Sequence, residues 1–193
     1  MKLKKLFLAV LAIGLLSLLG GLGSLAVFTD QAAVDANTFT TGTVDISTSP
    51  TTAVVTYSNM APGDSTTQSL VVTNAGTLQL RYALSSSATN TDAKGLKDQL
   101  TLTIKTIDVT TPGTPCDDFD GTQLYTGDLD GTTGALVGSN AQGSQAGDRT
   151  LAASASETLC FYVALPLSTG NAFQNATTTA TFTFDAEQTA NNP

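Results

Sequence analysis

Histidine and tryptophan are absent from this 193-residue chain, aromatic residues are few, and only two cysteines occur. The lack of histidine removes the commonest general base and the usual zinc ligand together, so a Ser-His-Asp site is excluded. Positive charge is scarce too: eight Lys and Arg stand against sixteen Asp and Glu. A phosphate backbone or an anionic lipid surface needs a basic stripe, and these few cations cannot form one, so nucleic-acid binding is disfavoured. No phosphate-cradling loop followed by Lys and no dinucleotide fingerprint occurs, and no small-molecule substrate is evident. Carboxylates are many, but no spacing singles out a catalytic pair.

One apolar run is long. Met1-Lys2-Leu3-Lys4-Lys5 is basic, and Leu6 to Leu19 follows without a charge. This is the n-region and h-region of a secretory signal, and Ser24-Leu25-Ala26 places small residues where a signal peptidase reads, so cleavage is predicted after Ala26. The alternative is an uncleaved anchor, since the uncharged stretch reaches Thr29 and can span a bilayer of roughly 30 Å at about 1.5 Å per residue. Cleavage removes three basic residues and no acidic one, leaving five against sixteen, a net charge of −11. The rest of the chain is long enough for one domain with a sizeable core.

Heavy use of Thr, Ser, Ala and Gly suits an extracellular all-β protein. Val44-Asp45-Ile46 opens the first strand, Ala53 to Tyr57 reads as the next, and Met60-Ala61-Pro62-Gly63-Asp64 supplies a turn. Ser69 to Thr73 is a short apolar run ended by Asn74-Ala75-Gly76. Leu78, Leu80, Tyr82 and Leu84 then alternate onto one face, as do Leu100, Leu102 and Ile104, where a phase shift to Ile107 predicts a bulge near Thr106. The polar stretch Asn90 to Lys97 reads as a loop or short helix. Cys116 to Asp148 is a long Gly-, Asp- and Thr-rich excursion with a short strand at Leu124-Tyr125. Two further strands follow, one with Leu159, Phe161, Val163 and Leu165 on one face and Cys160 on the other, and one with Phe182 and Phe184 inward. The pattern predicts a two-sheet antiparallel sandwich.

An exported chain with an even cysteine count favours oxidation, so Cys116 and Cys160 are expected to form a disulfide, with two unpaired thiols as the alternative. Asp118 and Asp120 before Gly121, and Asp128 and Asp130 before Gly131, offer oxygen ligands for Ca²⁺; the same Asp-Gly pairs are ordinary turn chemistry, and no bidentate Glu closes the set. Between the cleavage point and the first core strand, Phe28, Ala32, Val34 and Ala36 lie on one face of a potential strand over 27–39. That strand can complete the sheet of its own domain, residues 40–193, or add to a neighbour's exposed edge.

Phe28-Thr29-Asp30, Asn37 to Ile46, Met60 to Asp64 and Val72 to Thr77, in this order behind a signal, resemble the TasA and camelysin family of bacterial biofilm-matrix fibre proteins; Gly170 to Asn175 and the strand Phe182 to Gln188 are similar to many exported relatives. The resemblance implies a jelly-roll-like sandwich, cleavage by a dedicated signal peptidase, and an extracellular, non-enzymatic homopolymer, or a co-polymer with related matrix proteins. In it residues 27–39 act as a donor strand filling a groove of the next subunit. The cysteine pair and the Asp-rich excursion depart from the fibre formers and keep open a monomeric adhesion or accessory domain. Camelysins have also been described as metal-dependent proteases, a role to which a chain without histidine lends no support.

Overall fold

Runs of Thr, Val and Leu with two-residue periodicity, cut by Asn, Gly and Pro, pair into two antiparallel sheets. The computed structural model describes residues 3–4, 36–107 and 116–192. The chain divides into two units, residues 1–40 and 41–193. In the first, residues 36–40 are exposed and lie in no helix or strand. No helix among the described residues is long and apolar enough to cross a membrane.

The second unit holds both sheets. The first sheet has the order β1 (Ile46–Ser49), β2 (Ser65–Asn74), β8 (Ser156–Ala164), β4 (Thr101–Thr106) and β5 (Gln123–Asp128). In the second, β3 (Leu80–Ala88) carries β9 (Ala180–Gln188) along one edge. On its other edge β6 (Ala135–Val137) and β7 (Arg149–Leu151) lie end to end. A four-residue helix, Leu96–Gln99, leads into β4. Leu70, Val72, Leu102, Ile104, Leu159 and Phe161 of the first sheet meet Leu80, Tyr82, Leu84 and Leu151 of the second in the buried core. Each such side chain contributes about 1.5–3 kcal/mol when fully buried.

Two polar connections tie the sheets. Asn74, fully buried at the end of β2, donates through Nδ2 to the carbonyls of Leu78, Leu151 and Ala152, at 2.8, 3.2 and 3.0 Å, and accepts the Gly76 amide at 2.9 Å. Gly76 must be glycine, because a Cβ there would sit 2.4 Å from the Thr43 carbonyl oxygen. Glu157 on β8 accepts the Tyr82 hydroxyl at 2.7 Å and pairs with the Arg149 guanidinium of β7. Burial, reinforced by the Glu157 carboxylate, pushes the Tyr82 phenol up; the Glu157 hydrogen bond does the same to Arg149.

The fold departs from the expected strand pattern at several points. Ala53 to Tyr57 joins no ladder; Val54 and Val55 pack against the core from an irregular segment, so their burial is met without sheet hydrogen bonds. The bulge expected near Thr106 is present on the β4–β5 pair, between Ile104 and Lys105. The excursion carries more than the Leu124-Tyr125 strand: β5 extends one sheet and β6 the other. The disulfide Cys116–Cys160 ties the start of the excursion to β8. Arg81 and Ala83, outward positions of β3, are also buried, because the strap between β6 and β7 (138–148) crosses that face.

Candidate functional site

The sandwich has two long sides, set by strand order. β5 ends the first sheet and β6 lies beside it in the second, so the chain between them (129–134) runs from sheet to sheet and closes that side. Leu129 is buried there, its carbonyl accepts Ser86 Oγ at 3.0 Å, and the Gly134 carbonyl accepts the Ser86 amide at 2.8 Å.

Along the opposite side lie β9 in the second sheet and, in the first, β1 with the part of β2 that β1 leaves uncovered. Among the described residues β9 pairs with β3 alone, so its other edge has no strand against it over Ala180–Gln188. β2 pairs with β8 along nearly its whole length, whereas β1 covers only Val71 to Asn74. The N-terminal half of β2 is therefore a second open edge. Phe182 and Phe184 project inward from β9 but are only partly buried. The Phe182 ring meets Phe161 at 5.1 Å and Phe184 meets Tyr82 at 5.9 Å. Gln68 pairs with inward-facing Phe161, so it too faces inward, yet it is exposed. An inward residue that remains wet and two half-covered phenylalanines mark a seam between the sheets.

The inward positions of β2 are Thr66, Gln68, Leu70, Val72 and Asn74: the first two are polar and not fully buried, the next two apolar and buried, and Asn74 polar and fully buried. That switch was present in the sequence and is the signal that locates the seam; the sequence reading began the strand at Ser69 and missed it. Unpaired backbone N–H and C=O groups on such edges can accept a further strand.

The other expected site residues are distributed as follows. Ala26, Phe28, Ala32 and Val34 lie outside the described residues. Ala36 is exposed with φ 64°, a left-handed conformation rather than an extended one. Asp118 and Asp120 precede β5 and Asp128 and Asp130 end it, so an extended strand spanning roughly 17–20 Å separates the two pairs. Asp130 is held by Lys97 Nζ at 3.1 Å. The four aspartates are not brought to one point, and the described residues contain no group of three or more His, Cys, Asp or Glu able to hold a metal ion. The expected Ca²⁺ set thus fails on geometry: its members sit at opposite ends of one strand, and one of them already has a cation.

Residues 2–192 match the family model described as camelysin metallo-endopeptidase. A Bacillus subtilis (strain 168) protein named the major biofilm matrix component is 34% identical over 114 residues, which cover 54% of this chain and 43% of that protein. The match thus spans less than half the length of that relative.

Proposed function

The chain belongs to the camelysin metallo-endopeptidase family, and from that premise we propose that it is an exported structural protein of the bacterial surface or biofilm matrix that polymerises by strand donation. The observation that carries this reading is the seam: two open edges, half-covered Phe182 and Phe184, and a wet inward Gln68. A strand entering there gains backbone hydrogen bonds along an edge and places alternate side chains over the exposed rings. Phe28, Ala32 and Val34 of the N-terminal segment supply apolar side chains at that period, and the incoming segment is that of another copy. A head-to-tail contact that does not close on itself builds a filament. Kinship with the Bacillus subtilis biofilm matrix component supports the location and the structural role.

The peptidase in the family description requires a metal. The donor chemistry does not fit one: the sequence has no histidine, both cysteines are in a disulfide, and the described carboxylates form no cluster.

Val34→Asp places an unpaired charge in the strand that is to be buried. The parent chain should form fibres visible by negative-stain microscopy, and the variant should remain folded and form none. Fibres that persist unchanged would rule out residues 27–39 as the polymerising element.

A further inference from the structure

The outer face of the second sheet carries a groove that the assembly reading does not use. Its floor is made by cross-strand pairs of β3 and β9: Arg81 with Glu187, Ala83 with Asp185, Ser85 with Thr183, and Ser87 with Thr181. Its wall is the chain around β6 and the strap that follows. The main part holds about 250 Å³, and a second part of about 110 Å³ adjoins it through Ala83 and Asn140.

The wall is built to stay in place. Gly138, Gly143 and Gly147 have φ of 67°, 92° and 88°, and a Cβ on Gly138 would lie 2.6 Å from the Asp148 carboxylate. Asp148 accepts the Ser139 and Gln145 amides at 3.0 and 2.8 Å, closing the strap on itself. Glu187 accepts the Gly143 amide at 3.0 Å and Arg81 Nε at 2.7 Å, which pins the strap across the sheet.

The lining selects a ligand by elimination. No aromatic or large aliphatic side chain reaches the larger part beyond Leu84, so binding by ring stacking or apolar burial is poorly served. The side chains of Ser85, Ser87, Thr133, Thr183 and Asn140 have no partner among the described residues, and each both donates and accepts hydrogen bonds. The one cation nearby, Arg81, is already matched by Glu187, whereas the exposed Asp185 carboxylate has no partner among the described residues. A hydroxyl-rich ligand suits the first group, an anionic one is opposed by the protein's negative charge, and an ammonium group is matched by Asp185.

We propose that this groove binds an amino-sugar oligosaccharide, its hydroxyls on Ser85, Ser87, Thr183 and Asn140 and its ammonium group at Asp185. The test is calorimetric titration of the full chain with a short glucosamine oligomer, its N-acetylated counterpart and a glucose oligomer of equal length. The glucosamine oligomer should bind saturably, and the two uncharged oligomers about tenfold or more weakly, the loss expected for a charge-assisted hydrogen bond. Asp185→Asn should weaken the glucosamine oligomer about tenfold, Thr183→Phe should fill the floor and abolish binding, and Asp118→Asn, remote in the sequence excursion, should leave it unchanged. No saturable binding of the glucosamine oligomer, equal binding of the glucose oligomer, or equal weakening by Asp118→Asn, the mark of diffuse charge attraction, would each overturn the proposal. Asp185 is an exposed position on an edge strand, so its variant reads the site even if Thr183→Phe fails to fold.

Discussion

The two long sides of the sandwich are finished in different ways. On the β5–β6 side the chain crosses from sheet to sheet, buries Leu129 and satisfies Ser86 twice, and the disulfide fastens the start of the same excursion to β8. On the β9–β2 side the edges stay open, Phe182 and Phe184 are half covered, and Gln68 stands where the core would place an apolar residue. Both sides belong to one domain with one core, so the difference is not a matter of size or of available apolar residues. Side-chain and backbone hydrogen bonds close the side where the chain crosses between the sheets. Where it does not cross, the fold keeps a partly exposed seam, and unpaired edges of that kind can accept a strand.

The comparison is sharpened most by the disulfide. Replacing both Cys116 and Cys160 with Ser releases a closure of 44 residues, which the chain-entropy estimate puts at about 4 kcal/mol. Urea unfolding should show a loss of that order, while fibre formation in the absence of denaturant should persist, because Cys160 alternates with the inward Leu159 and Phe161 and so faces away from the rings of the seam. Loss of fibres with little loss of stability would reverse the assignment of roles. Asn74→Ala should cost somewhat less, about 2–3 kcal/mol, since it leaves the buried Gly76 amide and three carbonyls short of a partner. A cost within a few tenths of a kcal/mol would mean that the tie between β2 and β7 contributes nothing.

The smallest effect concerns the strap. The Asn192 and Arg81 hydrogen bonds hold the Glu187 carboxyl below its ordinary value of 4.5. A carboxylate with a lowered folded value stabilises the structure above its unfolded value and loses that contribution as pH falls through the folded one. The protection factor at Gly143, its exchange rate relative to the intrinsic rate at the same pH, should therefore fall as the solution is acidified below about pH 4, with the sandwich core unaffected, and Glu187→Gln should lower it already at neutral pH. Protection at Gly143 that is flat from pH 6 to pH 3 would show that Glu187 does not pin the strap.

Much of this architecture was legible in the sequence. Alternation at Leu100, Leu102 and Ile104 and at Leu159, Phe161 and Val163 marks the inward faces directly, because a strand with one buried face repeats every two residues. The cysteine pair was expected from the signal-like N-terminus and an even count, and the disulfide is present. The failures have physical reasons. Ala53 to Tyr57 has strand-favouring residues but gains its burial from loop packing, which propensity cannot distinguish from pairing. Arg81 and Ala83 lie between the inward residues of β3, and the strap that buries them is over 50 residues away in the chain, beyond the reach of any local pattern. The seam depends on which strands end up as edges, a property of topology rather than of any local pattern. Only the polar Thr66 and Gln68, the inward positions at the start of β2 that are not fully buried, recorded it. The acidic turns misled for the opposite reason: Asp-Gly spacing is local, and the strand between the two pairs holds them apart.

The most direct test of the strand-donation account is size-exclusion chromatography with light scattering on the chain after removal of residues 1–26, beside the same chain begun at Thr40. The account predicts large species for the longer form and a folded monomer for the shorter one. Monomers from both, or large species from both, would contradict it.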